Sequence, residues 1–222
     1  MKLAHPMLNH PIEWENVYIN TFVIENPFMY RNFLREIIEQ EQGLHGAFVL
    51  SHGLDILDIS KNIEIVSDVL KIDTGSNKKI ITGIIKELTN IAINEKQSQT
   101  YELYRKINEF IADTIFTLDN ELVFDDINDI SQIFKIYNVR PEEENLTLAK
   151  KILLHMDLCE KYIGKKLFVF FNLHSYFTQA ELESLFKNFI YRKYNVFIVE
   201  RYDHKSVQFE QKRIIDIDLC EI

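Results

Sequence analysis

Apolar and polar positions along the 222-residue chain change their spacing several times, and each change marks an element. Residues 16–26, NVYINTFVIEN, are rich in β-branched and aromatic side chains and predict a strand. Asn26 followed by Pro27 reads as a helix N-cap with proline at the first helical position, where its missing N–H is not needed. That helix would carry Phe28, Phe33, Leu34, Ile37 and Ile38 on one face and stop at Gly43. GAFVLSHG and LDILDI predict short strands. Helical spacing then takes over at Ile80, Ile81, Ile84, Ile85, Leu88 and Ile91, and again at Tyr104, Ile107, Phe110 and Ile111, in one long helix or two consecutive ones. ELVFDD is a short β-like piece, and helical patterns return at INDISQIFKIYN and at EENLTLAKKILLHMDLCEKYIG, the latter stopped by Gly164. KLFVFF is apolar on both faces, as expected of a strand covered by helices on both sides. Thr178 and Glu181 form a T-x-x-E capping box ahead of Leu182, Leu185, Phe186 and Phe189, and NVFIVER and RIIDIDLCEI predict the last strands.

The order predicts an α/β fold, with a head formed by residues 1–59 and 141–222 and an inserted helical subdomain over residues 60–140. A 46% hydrophobic and 27% charged composition is that of a folded chain with a sizeable core. No stretch approaches the roughly 20 apolar residues of a membrane span, and the N-terminus lacks the layout of a signal peptide, so no membrane and a cytoplasmic address are expected. Cys159 and Cys220 are too few for a disulfide framework, show no metal-ligand spacing, and read as reduced thiols.

A net charge of −9 argues at first against a nucleic-acid partner, but the charge is unevenly distributed. Between Ile111 and Asn145 nine acidic residues face only Lys135 and Arg140, whereas Lys150 to Arg213 holds twelve basic against seven acidic residues. A basic surface can therefore coexist with an acidic total.

Searching for chemistry gives mostly negatives. CEKYIGKKL is the nearest approach to a phosphate-binding loop, yet it has Cys159 for the first glycine, Lys166 for the hydroxyl, and precedes a strand. No nucleophile elbow, zinc-protease motif or dinucleotide fingerprint occurs, and the seven histidines are scattered. In the turn after KLFVFF, Asn172 and Ser175 are expected to satisfy turn backbone, with His174 at the surface. His52 and His155 read as ordinary surface or core residues. What does cluster is acid: Asp119, Glu121, Asp125, Asp126 and Asp129, oxygen donors without thiol or imidazole, which suit Ca²⁺ or make a solvated face. A metal-dependent nuclease or nucleotidase and an acidic protein-only scaffold both remain compatible with these features.

FVIEN after the first strand, LSHGLDILDISKNIEIVSDVLKID leading into NKKIITGIIKELTNIA, KKLFVFFNLHSYFTQAELESLFKNF before NVFIVE, and the terminal IIDIDLCEI together resemble the Csn2 family, CRISPR-associated adaptation proteins of type II-A loci. The resemblance covers essentially the whole chain. It implies a P-loop-NTPase-like α/β head that is degenerate and lacks a phosphate-binding loop, with a helical leg. It further implies a non-catalytic, ring-shaped homotetramer that encircles double-stranded DNA at free ends during spacer acquisition, assembles with Ca²⁺, and works beside the integrase complex and effector nuclease of its locus. On that reading Ca²⁺ belongs to the Asp119–Asp129 cluster, and Lys61, Lys71, Lys78, Lys79 and Lys86 are candidates for binding phosphate. The family often places a basic residue near the turn where His174 stands.

Overall fold

The computed structural model describes residues 1–15, 19–118 and 120–222. Along the chain run β1 (Lys2–Ala4), β2 (Ile12–Glu13), β3 (Ile19–Ile24), α1 (Pro27–Glu41), β4 (Val49–His52), β5 (Asp55–Leu57), α2 (Ile59–Asn62), β6 (Ile63–Val66), α3 (Lys78–Asn94) and α4 (Gln97–Phe116). There follow α5 (Ile130–Ile136), α6 (Leu148–Leu158), β7 (Leu167–Phe171), α7 (Gln179–Tyr191), β8 (Asn195–Glu200) and β9 (Glu210–Ile215). Two compact units result: Met1–Thr74 with Glu143–Ile222, and Gly75–Glu142.

The first unit is mixed α/β. Its main sheet has five strands in the order β6-β7-β8-β3-β9, all parallel, and a second, antiparallel sheet has the order β2-β1-β4-β5. The apolar runs account for this arrangement. A parallel strand covered on both faces needs apolar side chains in both directions, and β3, β7 and β8 are buried almost throughout. Leu167, Val169 and Phe171 point into a core shared with Phe22, Phe197 and the α1 residues Met29, Phe33 and Ile37. From the opposite face, Phe170 stacks on Phe189 of α7 at 6.0 Å. Edge strand β9, EQKRII, is only half-buried, and its charged residues keep the open edge from templating another strand.

Local signals hold where their chemistry is specific. The Asn26 side chain accepts the N–H groups of Phe28 and Met29, Pro27 opens α1, and Gly43 follows it in the left-handed region at φ 89°. Thr178 and Glu181 close the capping box in both directions. Phe28, expected on the buried face of α1, is 64% exposed. The buried line runs through Met29, Phe33 and Ile37 at i, i+4 and i+8, and Phe28 lies about 100° away around the helix.

Elsewhere the pattern and the fold differ. Residues 16–18 of the first predicted strand lie outside the described residues, and that strand runs from Ile19. Strand β6, within the stretch read as helical, pairs with β7 and belongs to the first unit. β1 and β2 are too short for periodicity to reveal. In the second unit the long helical pattern is two helices, α3 and α4, followed by α5. ELVFDD is irregular there rather than extended in a sheet. No described helix is long and apolar enough to cross a membrane.

Candidate functional site

Five lysines were singled out by the sequence, and all five are exposed. In the first unit, Lys61 reaches Asp58 at 3.3 Å and Lys71 reaches Asp68 at 3.4 Å, each an exposed i,i+3 pair. Such pairs are weak and leave the ammonium open to other anions. In the second unit, Lys78 and Lys79 occupy the first turn of α3, where Asn77 caps the N–H groups of Lys79 and Ile80. That turn carries no acidic residue. Cations at a helix N-terminus oppose the helix dipole, so the two lysines stand where helix stability alone would not put them. Lys86 lies seven positions after Lys79, and therefore on nearly the same face of α3.

The acidic segment follows α4. Asp119 lies outside the described residues, and Glu121, Asp125 and Asp126 are exposed in irregular chain. Asp129 caps α5, with Oδ1 accepting the Ser131 N–H at 2.9 Å and Oδ2 the Ser131 hydroxyl at 2.8 Å. Those two bonds hold its carboxyl below the usual range. Asn108 of α4 pins the segment by accepting the N–H of Ile127 at 2.9 Å. The donors are oxygen only, as Ca²⁺ requires. They are not gathered into one shell: among the described residues, the group of ligand atoms that converges is Glu64, His155 and Cys159. Interleaved with the carboxylates are exposed apolar side chains, Phe116 at 93% and Val123 at 97% among them.

The turn after β7 corrects an expectation. His174 is buried, only 7% exposed, because the turn folds it under α7 against Phe186. Its Nδ1 lies 2.8 Å from Glu200 Oε1 and its Nε2 3.3 Å from Glu210 Oε2. Carboxylates are acceptors, so both ring nitrogens must donate and the ring is an imidazolium. Burial alone would lower its pKa, but the hydrogen bonds and charges of Glu200 and Glu210 outweigh it and push it up to about 9. Glu210 is in turn held low: burial opposes this, and His174, the Val207 N–H and the Thr21 hydroxyl prevail. His204 stacks on His174 with centroids 5.4 Å apart and lies 3.5 Å from Glu200 Oε2. Asn172, left-handed at φ 52°, donates to the Tyr30 hydroxyl and accepts the Arg201 N–H. The positive charge of this turn is therefore consumed inside the head. The sequence reading missed Glu200 and Glu210; the legible signal was Glu200, a carboxylate ending the otherwise apolar NVFIVE.

The β3–α1 connection is the place in the parallel sheet where a nucleotide phosphate would meet a helix N-terminus. It consists of Glu25 and Asn26, contains no glycine, and the N–H groups of Phe28 and Met29 in the first turn of α1 are already taken by the Asn26 side chain. Pro27 offers no N–H at all.

A family model described as CRISPR-associated protein (Cas_Csn2) matches residues 40–219.

Proposed function

Because the chain belongs to the Csn2 family of CRISPR-associated proteins, we propose that it is a non-catalytic, sequence-independent double-stranded DNA-binding protein of spacer acquisition. It acts as a ring-shaped homotetramer that threads onto free DNA ends. The observation that carries the reading on this chain is the start of α3: Lys78 and Lys79 are exposed and uncompensated by any acid in their turn, and Lys79 is aligned with Lys86. Residues kept against local stability are those a binding function retains. Lys61 and Lys71 add exposed charge in the first unit. Phosphate neutralisation by such lysines is independent of sequence and steeply salt-dependent.

The head is read as a degenerate P-loop-NTPase-like core. The parallel sheet with helices on both faces supports this, and the capped, glycine-free β3–α1 connection accounts for a head without phosphate chemistry. Assembly is supported by the apolar side chains that the second unit leaves in solvent, Phe110, Phe116 and Val123 among them. Ca²⁺ would be held by Glu121, Asp125 and Asp126 with Asp119 and Asp129, and would neutralise a segment in which nine carboxylates face two cations. The site of action is the cytoplasm, beside the integrase complex and effector nuclease of the same locus.

Titrating unrelated linear duplexes with the Ca²⁺-loaded protein tests the reading: equal affinity across sequences, falling steeply with salt, is expected. Absence of binding at any salt would favour a protein-only scaffold. Cleavage of labelled duplex with Mg²⁺ or Mn²⁺ would make the protein a nuclease.

A further inference from the structure

In the first unit, the side of the sheet edge that faces α6 holds a second cluster, unrelated to the acidic segment. Ile63 and Ile65 of β6 pack toward the α1 core, so Glu64 between them points the other way, toward α6. There it meets His155 and Cys159, four positions apart and hence on one helix face. At Cys159 the helix changes to a π turn, Cys159–Ile163, which Gly164 ends at φ 82°. Such turns concentrate at functional positions.

We propose that Glu64, His155 and Cys159 form a binding site for a Zn²⁺-class cation. The Glu64 Oε1, His155 Nε2 and Cys159 Sγ atoms face one another, with Nε2 3.1 Å from Oε1 and 3.5 Å from Sγ. Ligands at zinc bond lengths in a tetrahedron stand about 3.3–3.6 Å apart, so little movement is needed to admit the ion. A thiolate, an imidazole and a carboxylate are a borderline-soft set that selects Zn²⁺ over Ca²⁺ or Mg²⁺. Three protein ligands leave the fourth position to water. The half-exposed Glu64 side gives an entry path, its side chain being 17% accessible.

A buried ammonium adjoins the site. Lys165, 3% exposed, donates to the Ser60 and Ile63 carbonyls and lies 3.6 Å from both Glu41 and Glu64. When the divalent ion binds, the Cys159 proton passes to solvent and the thiolate sulfur takes its place on the metal. Lys165 meanwhile steadies Glu64 through Oε2, leaving Oε1 for the ion.

The test uses the full, tag-free chain carrying Cys220→Ser, because Cys220 is an exposed free thiol. Zn²⁺ is titrated against a chromogenic chelator, and Co²⁺ is added separately as a spectroscopic probe. One Zn²⁺ per chain and a sulfur-to-cobalt charge-transfer band with tetrahedral ligand-field bands are expected. Cys159→Ser should abolish the charge-transfer band, and His155→Gln should weaken Zn²⁺ binding by at least ~100-fold, the upper range for losing even a ligand's supporting partner. The Co²⁺ spectrum needs no substitution within the site, so it decides the matter even if Cys159→Ser or His155→Gln disturbs folding. Absence of the sulfur band, or Zn²⁺ stoichiometry unchanged in Cys159→Ser, would leave a hydrogen-bonded cluster and overturn the site.

Discussion

At the scale of single residues, the head depends on a positive charge that the sequence did not advertise. His174 stood in a polar turn, and a turn histidine is normally solvated; its burial follows from Glu200 and Glu210, which come from two strands and converge only once β3 lies between them. No spacing in the sequence encodes that convergence. Replacing His174 with Gln leaves two buried carboxylates without their counter-charge and is expected to cost about 3–5 kcal/mol in urea denaturation. The pH dependence has a definite sign. A folded pKa of about 9 lies above the ordinary 6.5, so the His174 contribution is complete below pH 6.5 and is lost as pH rises through 9. At 1.36 kcal/mol per unit the loss amounts to about 3 kcal/mol. Glu210, held low, works in the opposite sense: its contribution is present above about 4.5 and fades as pH falls through its folded value. The stability gap between wild type and His174→Gln should therefore be widest near pH 6 and narrow toward pH 10. A gap of constant size across that range would mean that His174 is neutral in the fold.

At the scale of elements, helices with capping chemistry were legible and short strands were not. Asn26-Pro27, the Thr178/Glu181 box, Gly43 and Gly164 each fix an end through a local bond or a left-handed residue, which a sequence carries whole. β1, β2 and β6 have two to four residues and exist because neighbours pair with them. ELVFDD shows the converse, a β-like run for which the described residues of its unit supply no partner strand. The lysines of α3 were legible as charges, but their cost to the helix emerged only with the position of its first turn. That position separates binding from folding. Lys78→Glu with Lys79→Glu puts acid at a helix N-terminus, which favours the helix, so the thermal midpoint should hold or rise. DNA affinity should fall for every sequence alike, and the slope of log affinity against log salt should flatten by roughly 0.9 for each phosphate that is no longer neutralised. An unaltered slope would place these lysines outside the DNA path.

At the scale of the whole molecule, the proposed ring would require an acidic chain to gather, around an anionic polymer, copies that repel one another. Two features of the second unit would answer that problem: exposed apolar side chains that another copy could cover, and oxygen donors that a divalent ion could bridge. Phe116→Ser with Val123→Ser is expected to shift the protein from tetramer toward smaller species in analytical ultracentrifugation while leaving the helical content intact; an undisturbed tetramer would place the interface elsewhere. On the proposed reading chelation should loosen the assembly and weaken DNA binding, and Asp125→Asn with Asp126→Asn should reproduce both in the presence of Ca²⁺, because an ion bound to the assembled state would stabilise it by mass action. If calorimetry detects no Ca²⁺ uptake by the wild type, the segment is a solvated face. The central claim is topological, since a closed ring gains access to duplex only where an end can be threaded. Affinity is therefore to be compared for one duplex sequence in linear form and as a covalently closed circle, at equal length, salt and Ca²⁺. The account predicts binding to the linear form and little to the circle, with binding restored when a single double-strand cut opens it; equal affinity for both forms would contradict it.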